Sequence, residues 1–327
     1  MEKQLSGIHH ITAMAGDPQA NVDFYAGLLG LRMVKVTVNF DDPGTYHFYY
    51  GDEEGNPGTI LTFFPWPGAH RGRRGTGQAT ATAFSIPAGS LLFWMQRLQD
   101  AGVEMEGPVE RFGEQVITFY DPDNLQLEMV AHRGADARPG WAGGTVPAEH
   151  AIRGFHGVTL AEQNQGHTAQ LLESIMGFRL VGQEENRWRY ESGDGGPGTL
   201  VDVLHLPDVK RGVVAVGTVH HVAWRAPSDE QQEAWQAELE SIGADVTPII
   251  DRQYFHSVYF HEPGGVLFEI ATDPPGFAID ETVENLGHDL KLPPQYESLR
   301  PKLEKRLIPL QIPGVGQVPP QRVGTLS

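Results

Sequence analysis

Cysteine is absent from the 327 residues, which excludes disulfides, thiolate metal sites, iron–sulfur clusters and cysteine nucleophiles. Positive charge is scarce: 24 Lys and Arg stand against 42 Asp and Glu, a formal balance of −18. That sign argues against nucleic acid as a partner, because such binding rests on clustered Lys and Arg that neutralise phosphates. The short basic run Arg71, Arg73 and Arg74 is too small to reverse it. No apolar run approaches the ~20 residues needed to cross a bilayer, and the stretch from Met1 to Gly7 has no apolar signal-peptide core. A cytoplasmic protein with no membrane partner is expected. What is present is ordinary for a globular chain, with 40% hydrophobic and 9% aromatic residues, and 39 Gly and 24 Pro imply many turns. At about 150 residues per domain, the length suggests two domains.

The main internal signal is a fourfold repeat. Each segment opens on a short alternating strand: Ile8 to Thr12, Thr80 to Phe84, Phe155 to Thr159 and Val219 to Trp224. An amphipathic helical stretch follows and ends at a glycine suited to a left-handed cap, namely Gly30, Gly102, Gly177 and Gly243. Asp17, Ser90 and Ser228 read as helix N-caps. Strand-like runs come next, then a turn carrying Pro57, Pro122, Pro197 or Pro263, then a last apolar strand. The period is βαβββ, and the fold class is α+β. The modules span 5–67, 76–132, 152–207 and 217–273, giving halves 5–132 and 152–273 around a linker at 133–151. Modules one and three share a helix exit, while two and four share the spacing of Arg111 to Glu128 and Arg252 to Glu269, the mark of a duplicated duplication. A Pro-rich extension, 274–327, departs from the repeat. Its Tyr296 to Leu307 stretch reads as a helix able to cap a barrel or a partner subunit, which leaves a homo-oligomer open. The last dozen residues read as disordered.

A curved βαβββ sheet takes its inward side chains from its first and last strands. Aligned on the Pro turns, the inner pairs are His10 and Phe63, Ala81 and Glu128, Gly157 and Val203, and His221 and Glu269. Only modules one and four together supply two histidines and one carboxylate, with Phe63 in the fourth place. Two neutral imidazoles and a carboxylate form the facial triad associated with non-haem iron(II). A single histidine at a strand start is more often a hydrogen-bonded structural residue, but the doubled His9-His10 and His220-His221 at matching places raise the case. Glu269 alternates with Leu267 and Ala271 on an apolar face, where an unpaired carboxylate is costly and a bound cation would offset the cost. Glu128 lacks partner histidines and reads as a vestige or a structural acceptor. Thr12 shares the face of His10. Arg252 and Tyr259 precede Glu269 on neighbouring strands, where a cation and a phenol could stabilise an anion and orient a hydroxyl. Arg111 holds the place of Arg252 in a module without histidines, so a structural role for Arg252 is equally open. His47, Phe48 and Tyr50 line a pocket or pack the core, and His205, His256 and His261 read as surface or structural residues.

Gly7 to Thr12, Tyr46 to Asp52, Pro57-Gly58-Thr59, Arg153 to His156, His220-His221, Arg252 with Tyr254-Phe255, Pro263 to Glu269 and Asn285-Leu286-Gly287 occur in an order that is specific as a set. Over residues 5 to about 310 the chain resembles the vicinal oxygen chelate superfamily, and more closely its hydroquinone-type ring-cleaving dioxygenases. The resemblance implies iron(II), with manganese(II) as the alternative, held by His10, His221 and Glu269. It implies active-site places for His9 and His220 as substrate hydrogen-bonders or proton carriers, and for Arg252 and Tyr259. Simple alternation points His9 and His220 away from the metal, so a local bulge or a substrate extending across the strand end is required. Catechol-cleaving relatives draw their first histidine from module three, where Gly157 stands and His156 lies one residue earlier. A one-residue misalignment would make His156 the first ligand.

The leading expectation is therefore an enzyme inserting both atoms of O2 into a dihydroxylated aromatic ring, with a small aromatic diol and O2 as partners. Two alternatives stand beside it. One is a glyoxalase-type isomerase or lyase, whose sites commonly use four protein ligands; the other is a protein that sequesters an aromatic compound in the same cup.

Overall fold

The computed structural model describes residues 5–319; the part of the expected disordered end at 320–327 lies outside the described residues. Two curled eight-stranded sheets carry the fold, with few helices. The first takes its strands from modules four and one, in the order Ile250–Asp251, Phe255–His261, Leu267–Pro275, Val219–Ala226, Ile8–Ala15, Ile60–Pro65, Tyr46–Gly51 and Arg32–Val38. The second repeats that order with modules three and two. In each, two opening strands meet antiparallel at the centre, Ile8–Ala15 with Val219–Ala226 and Gln78–Pro87 with Phe155–Glu162. The pairing of module one with module four is thus the observed one.

Local signals explain most boundaries. Gly30, Gly102, Gly177 and Gly243 all close their helices at φ between 68° and 79°, a conformation that a Cβ disfavours. Asp17 accepts from the Ala20 N–H at 2.8 Å, and Ser228 accepts from Gln231 N–H at the start of Asp229–Ser241. Ser90 differs. It precedes the helix Leu91–Asp100, but its hydroxyl bonds His150 Nδ1 at 3.0 Å rather than a first-turn N–H. Its backbone is already helical after the turn Ala88–Ser90, which removes the extended geometry that an N-cap needs.

The extension does not hang free. It forms a 3₁₀ turn, Pro294–Leu299, and a helix, Arg300–Arg306, and it covers the outer edge strand of its own module one. Lys291 N–H donates to the Val36 carbonyl at 2.9 Å. Lys35, fully buried, reaches Asp280 at 2.6 Å and Glu281 at 2.5 Å. A cation without water needs such partners, and the clasp leaves no bare sheet edge there.

The two sheets also touch through acids. Glu162 ends the opening strand of module three and meets Glu262, in the last turn of module four. Glu262 accepts from Thr168 Oγ1 at 2.8 Å and from Val266 N–H at 2.9 Å. Burial first, and the Glu262 charge and hydrogen bond next, push the Glu162 carboxyl up to about 8 from its ordinary 4.5. The folded state then holds a proton that the unfolded chain releases. Its contribution to stability is complete below pH 4.5 and fades as pH rises through about 8. Glu162→Gln should therefore flatten the fall in Tm across this window and melt above the parent at pH 9. A Tm series from pH 4 to 9 with an unchanged slope would contradict that assignment.

Candidate metal centre and its cavity

The candidate ligands are placed by two reciprocal irregularities. Along the central pair, Ile8 faces Trp224 and His10 faces Ala223, so His9 is an extra residue on one strand. Further along, Thr12 faces His221 and Ala13 faces Val219, so His220 is the extra residue on the other. These are the expected bulges. They let each histidine touch its neighbour through Nδ1, at 2.9 Å for His9 and His10 and 2.8 Å for His220 and His221. Holding Nδ1 fixes the ring and leaves Nε2 of His10 and of His221 as the outward donor atom.

Those two Nε2 atoms converge with Glu269 Oε2. The separations are 3.2 Å between the nitrogens, 3.3 Å from His10 to the carboxylate and 2.9 Å from His221 to it. Donor atoms bound ~2.1 Å from one ion at right angles lie about 3 Å apart, so the triangle has the size of one octahedral face. Glu269 is fully buried; its Oε1 accepts from Ser257 Oγ at 2.5 Å, while Oε2 has no hydrogen-bond partner despite the nearby imidazoles. An orphaned buried oxygen facing two imidazole nitrogens fits a divalent cation. Among the described residues this is the one His and carboxylate trio so arranged. Burial alone would raise the Glu269 carboxyl, but His10 and His221 outweigh it and hold it well below the usual range. Burial pushes His221 down, and burial with the adjacent His221 pushes His220 down to about 3. Neutral imidazoles with an ionised carboxylate are the forms that bind metal.

The fourth place is not Phe63. In register, Ala223 faces Glu269 in module four, and the matching Thr12 faces Thr62 in module one. Likewise Thr159 faces Asp202, not Val203, in module three. The cause is turn length. The residue at positive φ directly follows proline in modules one and three, Gly58 and Gly198, but comes two places after it in modules two and four, Asn124 and Gly265. Alignment on proline is therefore one residue out in two modules. Phe63 points to the core, 4.5 Å from the Tyr25 ring.

The second sheet carries no histidine at the equivalent places, Ala81 and Gly157, and balances its carboxylates with guanidinium groups. Arg111 grips Glu128 at 2.8 and 3.1 Å, and Arg189 grips Asp202 at 2.7 and 3.0 Å. Glu128 is thus a structural acceptor. His156 lies on this sheet, bonded to Glu114 at 3.0 Å, so it takes no part in the trio.

A cavity of about 230 Å³ opens above the trio, lined by His10, His221, Thr12, His220, Arg252 and Tyr259. His9 is buried behind it, its ring 5.1 Å from Phe255. Arg252 does not repeat the Arg111 grip. Its Nε donates to Tyr259 Oη at 3.3 Å, and Nη1 pairs with Asp41 at 3.3 Å. Burial, then the Glu269 charge, push the Tyr259 phenol up, so it is a proton donor rather than a phenolate. His47 joins the lining, whereas Phe48 and Tyr50 pack the core. His256 bonds Asp229 at 2.6 Å, outside the cavity. Tyr49, Phe64 and Thr62 escaped sequence reasoning. Alternation from His47 could have flagged Tyr49, and the shorter proline turn could have flagged Thr62.

The family model described as Glyoxalase/Bleomycin resistance protein/Dioxygenase superfamily matches residues 7–129 and 154–270. The chain belongs to this superfamily. Within it, the Bacillus subtilis protein named "Putative ring-cleaving dioxygenase MhqO" is 52% identical over 95% of this chain and 99% of that protein. The "Chlorohydroquinone/hydroquinone 1,2-dioxygenase" of Sphingobium indicum is 34% identical over 93% and 96%. A crystal structure described as "putative dioxygenase from Bacillus subtilis subsp. subtilis str. 168" superposes at a TM-score of 0.90, with 50% identity over 95% of this chain and 99% of that chain. Glyoxalase I from Zea mays, at 13% identity and a TM-score of 0.61 over 82% and 92%, shares the superfamily fold. No helix among the described residues is long and apolar enough to cross a membrane.

Proposed function

We propose that this superfamily member is an iron(II)-dependent dioxygenase that opens a hydroquinone or related dihydroxylated ring, with O2 as co-substrate. The observation that carries the reading is the donor set: two imidazoles and one buried carboxylate on a single face, with a threonine rather than a ligand in the matching fourth place. Thr62 already shares its hydroxyl with Thr12 and His47, at 2.8 and 3.0 Å. A three-ligand face leaves positions for two small molecules, which favours oxygen chemistry over the four-ligand isomerase pattern. A bound ferrous ion would supply Lewis acidity and an electron path between diol and oxygen.

The chain's own residues do the rest. Phe64 and Phe255 supply apolar walls, and about 230 Å³ exceeds the ~150 Å³ cavity known to accept benzene. The Arg252 guanidinium offers fixed positive charge to an anionic ring oxygen, and Tyr259 offers a hydrogen bond to a second hydroxyl. His220 lines the cavity with Nδ1 engaged by His221, so Nε2 is its atom for holding or passing a proton.

Oxygen-electrode measurements on anaerobically iron-loaded protein, offered hydroquinone, catechol or a methylglyoxal–thiol adduct, test the proposal. Uptake with hydroquinone is expected. No uptake with any dihydroxybenzene at stoichiometric iron would overturn it.

A further inference from the structure

Four buried side chains beside the metal ligands form one unbranched hydrogen-bonded chain. Tyr49 Oη stands 3.0 Å from His47 Nδ1, His47 Nε2 stands 3.0 Å from Thr62 Oγ1, and Thr62 Oγ1 stands 2.8 Å from Thr12 Oγ1. Thr12 lies two residues beyond His10, opposite His221 in the sheet, and lines the cavity. No member of the chain is more than 8% exposed, so water does not readily replace these bonds.

Such a chain has two polarities. Either each proton points from Tyr49 toward Thr12, or each points back. A phenol is a stronger donor than an aliphatic hydroxyl, and an imidazole nitrogen is a stronger acceptor than a phenol oxygen. Tyr49 therefore donates to His47 Nδ1, which fixes the tautomer with its proton on Nε2. His47 then donates to Thr62 and Thr62 to Thr12. Every acceptor inside the chain is filled, and the proton left over belongs to the Thr12 hydroxyl, at the cavity beside the ligand face.

We propose that His47 and Tyr49 are positioning residues that make Thr12 an obligate hydrogen-bond donor to the anionic oxygen of a phenolic ligand in the cavity. The assignment rests on the metal-dependent reading above and deepens it. Thr12 touches the ligand; His47 and Tyr49 act only through it, by way of Thr62. Neither Tyr49 nor Thr62 stands out in the sequence, because the chain joins residues of three different strands.

The test uses 4-nitrophenol, whose visible absorption reports its ionised form, titrated anaerobically into full-length manganese(II)-loaded protein over a pH series. Metal content is matched among variants. The parent should lower the apparent pKa of the bound probe. Tyr49→Phe, which deletes one oxygen, should raise it by about one unit, a tenfold weaker preference for the anion. Thr12→Val should raise it at least as far, and Tyr49→Phe should add nothing in the Thr12→Val background. His47→Gln, which keeps a donor toward Thr62, should retain most of the effect that His47→Phe loses. Equal shifts from Tyr49→Phe in both backgrounds, no shift in either, or a parent that binds the probe without favouring its anion would overturn the proposal. If no dihydroxybenzene drives oxygen uptake, the ring-opening reading falls while this titration still decides the role of the chain.

Discussion

Replacing Glu269 with alanine should abolish retention of iron through gel filtration, remove oxygen uptake and lower the stability of the metal-free protein. Its carboxyl is fully buried and is held well below the usual range by His10 and His221, so the fold favours the ionised form and the variant loses that contribution. The same change withdraws a charge that the ion needs. The urea midpoint of the apo form should fall, and the midpoint shift produced by added metal should vanish. His10→Ala should share the metal loss and also destabilise the apo form, since it strips a partner from a buried carboxylate. His156→Ala, on the other sheet, should keep metal and activity. Iron retained by Glu269→Ala, or lost by His156→Ala, would refute the assigned ligands.

Thr62→Glu should convert a three-donor face into a four-donor one. Thr62 occupies in module one the sheet position that Glu269 occupies in module four, so a carboxylate there would approach the same ion from the pseudo-symmetric side. Manganese affinity should rise about tenfold or more, and oxygen uptake should fall by at least about a hundredfold, as a position needed by a small molecule is filled. The substitution also breaks the hydrogen bonds to Thr12 and His47. Thr62→Ser, which keeps the hydroxyl, should behave as the parent. Unchanged metal affinity and uptake in Thr62→Glu would show that this place does not face the ion.

Much of this site is legible in the sequence because strand alternation and repeat spacing are strict. Two matching His-His pairs and an acid in an apolar strand suffice to single out His10, His221 and Glu269, and the need for a bulge at His9 and His220 follows from the same rule. Thr62 and Asp202 are not legible by proline alignment, because a turn one residue shorter shifts everything after it while leaving its composition almost unchanged. The Ser90 hydroxyl turns away because the chain is helical before it reaches that residue, which a local cap pattern does not reveal. Least legible is the docking of the extension. A lysine such as Lys35 ordinarily reads as surface, and its burial depends on Asp280 and Glu281, which have no periodic relation to it.

The central strand pair also sets a timetable. His10 and His221 are 211 residues apart, which a ribosome adding ~5–20 residues per second covers in about 10–40 s. Throughout that interval the Ile8–Ala15 strand has Ile60–Pro65 on one edge but lacks Val219–Ala226 on the other, yet Gln78–Pro87, built on the same repeat, emerges early. The newborn chain must avoid joining its first two opening strands. Their contents oppose that error: it would set the His9-His10 bulge against a strand without its reciprocal histidines, so the His10 face would gain no partner. The cluster of His10, His221 and Glu269 can thus assemble only after the last module has emerged, and a chain stalled before that point would present an open strand edge in its place.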